Sequence, residues 1–382
     1  MIKKISLFFL ISILSLCSSG CIVKTRSLES LGLASAIGID QGKGEKLTGI
    51  TVLHHFGTRP EDVAQQLTST AYTGTGLSKF MNLETSDRIV SGQLRIAIYG
   101  KQLAKKHGIT ELAEELKRDP ATQTTMYLAI SKTKAKDILH QAKEKEHSKN
   151  LGTYLYKMLS QSITEEEVIS CTLQEYLRDY YQVGKDPVLP LLEKRRDFVL
   201  IDGAALMHNG KFVSDITAQE NFYVKALREG YKENGELDIQ LPFSAFKSIY
   251  HGKEKSKSMY VNLKNIKLKR NIRLVDPKIP AYRIDMDVMG TIAALSKSVD
   301  LGKSNAYSIF EKEISKEIKK ESEKMLEKLK KNSVDPIGFG QTYDTSIRYM
   351  QLTDKKWYGD LYKKAKFQVN VKTTITRSGV IN

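Results

Sequence analysis

The sequence predicts a multidomain α+β protein with mixed sheets and packed helices, and three patterns carry that reading. Strand-like and helix-like segments alternate through residues 31–190; strand patterns run together after residue 191; and long helices followed by a final strand close the C-terminal domain. A chain of 382 residues, 41% of them apolar, can bury such cores, which excludes wholesale disorder. Three cysteines with no CxxC pair exclude a disulfide-dense scaffold, a zinc ribbon and a thioredoxin-like centre.

The first element is a processing signal. Lys3 and Lys4 precede an apolar run over residues 5–16, and Cys17-Ser18-Ser19-Gly20-Cys21 places small residues directly before a cysteine. As a helix that run rises only about 18 Å, too short to cross a bilayer core of roughly 30 Å. The pattern is a lipoprotein export signal with cleavage after Gly20 and a diacylglyceryl group on Cys21, although Ser18 stands where a larger aliphatic residue is usual. Residues 1–20 are then removed, 21–30 form the lipid anchor and tether, 31–190 an N-terminal α/β region and 191–382 the C-terminal α+β domain. Two acyl chains hold a protein stably at a membrane where one does not. Export also removes nucleic acid as a partner for the net charge of +16 and leaves anionic lipid or wall polymer.

In the N-terminal region, residues 33–40 and 47–55 are rich in apolar and β-branched residues around Gln41-Gly42-Lys43-Gly44, a hairpin signal. Residues 94–99 and 124–130 read as strands, and 101–106 and 110–117 as helices. From 133 to 181 the pattern is helical. Leu151, Leu155, Met158 and Leu159 share a face, and Thr164-Glu165-Glu166-Glu167 reads as a helix start. Residues 185–190 contain Pro187 and Pro190, two of only eight prolines, and are the predicted domain boundary.

Beyond it, 198–207 reads as a strand turning at His208-Asn209-Gly210. Tyr282, Ile284, Met286 and Val288 alternate with Arg283, Asp285 and Asp287 as in a half-buried strand. Residues 306–331 carry a stripe of Phe310, Ile314, Ile318, Met325, Leu326 and Leu329 against an exposed Glu/Lys face. A helical stretch around 343–362 precedes a final strand with Phe367, Val369, Val371 and Ile375 on one face.

Chemistry-bearing motifs are scarce. Gly74-Thr75-Gly76 matches neither a dinucleotide fingerprint nor a phosphate loop and reads as a turn. His54 and His55 are adjacent on a strand and point to opposite faces. His140, Glu144 and His147 have metal-like spacing but lie in a solvated Lys/Glu-rich stretch. No GxSxG elbow or isolated carboxylate pair occurs, and Cys171, at a predicted helix start, reads as a small buried hydrophobe sooner than an activated thiol. Lys264, Lys267, Lys269, Arg270 and Arg273 alternate with apolar residues, as on an exposed strand face. No catalytic residue, metal site or cofactor site is assigned. Asp335-Pro336-Ile337-Gly338-Phe339-Gly340 is the one unusual loop: its apolar residues either plug the domain's own core, the favoured account, or form a partner-docking loop of Asp335, Ile337, Gly338, Phe339 and Gly340.

Taken in order behind the lipid signal, several strings resemble one family. Leu31-Gly32-Leu33-Ala34-Ser35-Ala36-Ile37-Gly38-Ile39-Asp40, Gly92-Gln93-Leu94-Arg95-Ile96-Ala97-Ile98-Tyr99-Gly100, Arg118-Asp119-Pro120, the 335–340 loop and Phe367-Gln368-Val369-Asn370-Val371-Lys372 after Trp357 are similar to the Ger(x)C spore germination lipoproteins. These are the C subunits of GerA-type nutrient germinant receptors. The chain departs from the family with Ile22-Val23 in place of a common Trp-Asp, and with Gln93 in place of a common His. The resemblance implies a non-enzymatic, lipid-anchored subunit on the outer face of the spore inner membrane, with membrane-embedded A and B subunits as partners. The rival is a solute-binding lipoprotein serving a transporter, which should show repeated βα units in two lobes around a cleft.

Overall fold

The computed structural model describes residues 30–55, 65–140, 151–196, 198–250, 257–347 and 351–376. Two mixed sheets organise them. The first opens on the expected hairpin, in which β1 (Leu31–Gln41) pairs antiparallel with β2 (Leu47–His55). Gln41 Nε2 donates to Gly44 O at 2.8 Å across the turn, and Gly44 supplies a φ of 64°. β3 (Gln65–Ala71) extends this side, while β4 (Arg88–Val90) and β5 (Ile96–Gly100) lie parallel to β1. β6 (Tyr127–Ser131) continues the parallel series.

Every residue of β5 is buried because helices cover both sheet faces. On one face lie α1 (Gly74–Leu83), α2 (Lys101–Lys106), α3 (Thr110–Arg118) and, through Leu173 and Tyr176, the helix 173–181; on the other lie α4 (Ala135–His140) and α5 (Leu151–Thr164). The expected turn at Gly74-Thr75-Gly76 is instead the first turn of α1. Thr73 caps it by accepting from Gly76 N at 3.0 Å, and the Glu115 carboxylate accepts from Thr75 N at 2.7 Å.

A second difference concerns Thr164-Glu165-Glu166-Glu167, which ends α5 rather than starting a helix. Glu166 takes a left-handed φ of 61°, and its carboxylate accepts from the backbone N–H groups of Lys232, Glu233 and Asn234. An acidic run that resembles a first helical turn is thus spent on a strand far along the chain. The next helix, α6 (Leu173–Tyr181), starts at Thr172, whose side chain and Glu175 form a reciprocal capping box.

The boundary expected at residue 190 falls inside the first sheet. β7 (Val188–Arg195) joins β6 in parallel, and β8 (Phe198–His208) and β9 (Lys211–Ile216) complete a path of β3-β2-β1-β5-β6-β7-β8-β9, with β4 beside β1. Pro190 is accommodated at a β-bulge, where the β7–β8 register shifts between Pro190 and Leu192. The first sheet therefore runs to Ile216, and its β8–β9 turn uses positive φ at Asn209 and Gly210.

α7 (Ala218–Arg228) links the two sheets and is buried from Asn221 to Arg228, as a helix enclosed on all sides must be. The second sheet has the order β10 (Tyr231–Pro242), β11 (Ser258–Asp276), β12 (Ala281–Leu295), β13 (Lys366–Ile375). Its first three strands form an antiparallel meander, and β13 returns parallel to β12 with Tyr282 opposite Phe367. α8 (Ala306–Lys331) buries the stripe of Phe310, Ile314, Ile318, Met325, Leu326 and Leu329. One core cluster runs from Val188 and Leu206 of the first sheet through Phe222 and Leu227 of α7 to Ile239 and Met286 of the second.

Candidate functional site

Charged side chains collect where α7 ends. Arg228, buried with Asp179, pairs with it and donates from Nη1 to Pro336 O at 2.5 Å. Arg178 and Lys185 reach the other Asp179 oxygen at 3.0 and 3.2 Å. Burial opposes the Asp179 charge, but the Arg228 guanidinium and its two cationic neighbours outweigh it and hold the carboxyl below its ordinary range.

Asp186, just before β7, is the second node. Its backbone N–H donates to Asp335 O at 2.9 Å, and its carboxylate accepts from Asp335 N at 2.7 Å and from the Tyr358 hydroxyl at 2.8 Å. His208 Nδ1 lies 3.0 Å from its other oxygen. Asp335 is the third node and is wholly buried. Its carboxylate accepts from Gly338 N, Phe339 N and Gly340 N at 2.8, 3.1 and 2.9 Å, and from Trp357 Nε1 at 3.2 Å. Burial pushes the Asp335 carboxyl up to about 7, against the pull of those backbone donors and with the help of the Asp186 charge.

Asp335 thereby folds the loop around itself. Gly338 takes a φ of 86° to start α9 (Phe339–Ser346), and Phe339 packs among Tyr282 and Phe367 with ring centroids 4.9 and 4.6 Å away. The Tyr282 hydroxyl donates to Phe339 O at 2.8 Å. The partner-docking reading of Asp335, Ile337, Gly338, Phe339 and Gly340 is corrected on this point: all five are buried, Phe339 completely, because the loop is the plug between the second sheet and the approach to β7. It offers no side-chain surface to a partner. With its donors and acceptors consumed internally, the cluster can fix the two sheets against each other but presents no group for attack on a substrate.

Sequence reading missed Gly184, Asp186, Arg228 and Tyr358. Residues 185–190 read as a domain boundary, and residues 218–228 drew no reading at all; the available signal was the run of apolar residues on every side of α7, which marks an enclosed helix.

The remaining candidates are scattered. Cys171 is buried, and burial with the nearby Glu175 and Asp179 charges pushes its thiol well above the ordinary range, so it is no activated nucleophile. His140 Nδ1 lies 2.9 Å from Gln66 Oε1, while Glu144 and His147 fall outside the described residues, as does Cys21. Among the described residues no group of three His, Cys, Asp or Glu could hold a metal. Lys264 and Lys267 pair with Glu236 and Glu233, and Arg273 with Asp285, on the exposed face of the second sheet; Arg270 instead reaches Arg228 O at 2.5 Å. A cavity of about 270 Å³ lies between α1, α3 and the β1–β2 hairpin, floored by Ile37, Gly49 and Thr51.

Comparison with known proteins covers nearly the whole chain. Residues 24–194 match the family described as spore germination protein N-terminal domain, and residues 202–379 match the family described as spore germination B3/GerAC like, C-terminal. Spore germination protein GerQC of Bacillus cereus is 24% identical over 379 residues, spanning 99% of each chain. Spore germination protein KC of Bacillus subtilis (strain 168) is 25% identical, over 100% of this chain and 98% of that one. The crystal structure of the GerBC protein superposes with a TM-score of 0.51 at 13% identity, covering 89% of this chain and 97% of that chain, and shares the fold. The two matched families meet between residues 194 and 202, at the β7–β8 hairpin, so the buried junction takes Asp179 and Asp186 from one and Arg228 and Asp335 from the other.

Proposed function

Because the chain belongs to the Ger(x)C family of spore germination proteins, we propose that it is the lipid-anchored, non-enzymatic subunit of a nutrient germinant receptor. Its partners on this reading are the polytopic A subunit and the transporter-like B subunit, and its place is the outer face of the spore inner membrane. The observation that carries the proposal is order along the chain: the first family match begins at residue 24, directly behind the export signal and Cys21, and the second runs to residue 379. No described helix is long and apolar enough to cross a membrane, and on this reading the lipid on Cys21 supplies the attachment. The described strands form one large sheet and one small one instead of two βα lobes around a cleft, which favours an assembly subunit over the solute-binding alternative.

The test is production in a spore-forming host of the full chain and of Cys21→Ala. The full chain should yield a membrane-bound product whose N-terminal peptide carries diacylglycerol, and it should co-purify with two membrane subunits. Cys21→Ala should leave the membrane fraction and fail to support nutrient-triggered germination. An unmodified N-terminal cysteine would overturn the anchor, and a lipidated protein that captures an importer permease in place of receptor subunits would overturn the receptor assignment.

A further inference from the structure

One end of the first sheet is where the tether leaves. β1 begins there at Leu31, β2 returns to finish at His55 opposite Gly32, and β4 starts alongside with Arg88 opposite Leu31. α1 descends toward the same end after β3: Asn82 Oδ1 accepts from Ile89 N at 3.0 Å, pinning the last turn of the helix to β4. The inner side of α1 is buried through Leu77 and Met81. Its outer side carries Lys79, Phe80 and Leu83, which share one helical face. Leu83 is 74% exposed, the highest value for any large apolar side chain among the described residues, and Phe80 is 48% exposed. Lys79 and Arg88 are exposed beside them, with Glu84 the exposed carboxylate of the same turn.

We propose that this end of the molecule rests on the bilayer, with Phe80 and Leu83 entering the boundary between headgroups and acyl chains and Lys79 and Arg88 meeting anionic lipid phosphates. The inference rests on Cys21 being the point of membrane attachment. Nine residues, 22–30, separate Cys21 from Leu31, a reach of at most about 35 Å when fully extended. They include Lys24 and Arg26, so the tether itself favours an anionic surface. Such a short leash keeps the Leu31 end at high effective concentration over the membrane, and a small apolar contact then suffices to fix which face turns toward it.

The test separates orientation from acylation. The 21–382 chain is coupled through Cys21 to a maleimide lipid in phosphatidylethanolamine/phosphatidylglycerol vesicles, which anchors it at the same point whether or not a cell acylates it; Cys171 is buried and stays unlabelled. Leu83→Trp and, as a second probe, Phe80→Trp are compared with Tyr260→Trp, an exposed site on β11 of the other sheet. The native Trp357 is fully buried and contributes a constant background. With phosphatidylglycerol brominated in its acyl chains, the emission added at position 83 or 80 should be quenched at least threefold more than that added at position 260. Equal quenching at the three positions, or stronger quenching at 260, overturns the proposal.

Discussion

Gly184 and Gly340 lie backbone against backbone: a Cβ on either glycine would stand 2.5 Å from the Cα of the other. Gln341 N donates to Gly184 O at 3.3 Å across the same contact, so the strand approach of the first sheet and the 335–340 loop of the second touch without any side chain between them. Gly340→Ala would also push Trp357, whose indole lies 2.8 Å from the added carbon. Overpacking of this kind is expected to cost on the order of 2–3 kcal/mol. Urea unfolding of the isolated 31–376 chain measures it; a variant as stable as the parent would show that the contact relaxes freely.

Phe339→Ala should destabilise the same chain by about 3–5 kcal/mol, since it empties the space between Tyr282 and Phe367. Near-normal unfolding together with lost capture of receptor subunits would restore the docking reading.

Arg228→Met keeps much of the side-chain volume and removes the charge. Asp179 would retain only Arg178 and Lys185, and Pro336 O would lose its donor. A loss of about 3 kcal/mol is expected, near the lower end for breaking a buried pair. Arg228→Met combined with Asp179→Leu should recover part of it, because the most deeply buried carboxylate then goes with its guanidinium and only Lys185, nearer the surface, is left without its partner; a double variant less stable than the single one would contradict this.

The junction should also loosen as pH rises. Asp335 holds its proton to about pH 7 when folded, against an ordinary value of 3.8, so its contribution is full below 3.8 and lost as pH passes 7. His208 has the same sign. Burial alone would lower its pKa, but the hydrogen bond to Asp186 and the charges of Asp186 and Asp354 raise it above 6.5, giving stability that is full below that value and lost above the raised one. Unfolding free energy is therefore expected to fall as pH rises from 3.8 to about 7 through Asp335 and to go on falling above 6.5 through His208, and His208→Gln should flatten the upper part of that decline. A slope unchanged in His208→Gln would remove the histidine from the account.

Elements defined by local periodicity were legible in the sequence. The hairpin around Gly44, the helix 306–331 and the half-buried strand at Tyr282 are set by neighbours within a turn or a pleat, and the structure has all three. Misread segments are those whose partners lie far along the chain. Glu166 is spent on the backbone of residues 232–234, Pro190 rests at a bulge made by β8, and Asp335 needs Asp186 and Trp357 to explain its burial. The candidate site is a junction of this long-range kind, which is why the sequence favoured a core-plugging loop at 335–340 but gave no sign of Asp186, Arg228 and Tyr358 around it.

The parallel return of β13 makes the second sheet wait for a strand synthesised after all its others. β13 comes after every other strand of the second sheet, yet its pairing partner spans Ala281–Gly290, and α8 packs across it, with Ser315 Oγ accepting from Thr373 N and the Glu311 carboxylate accepting from Ile375 N. A chain made from its N-terminus can complete the first sheet while the second still lacks its closing strand. Until residues 366–375 emerge, β12 has an unpaired edge and α8 lacks part of its seat, the condition under which strands recruit the wrong partners. A premature stop between residues 295 and 366 would leave that edge open permanently, so such a truncation should behave like a null allele although every other strand of the sheet is made.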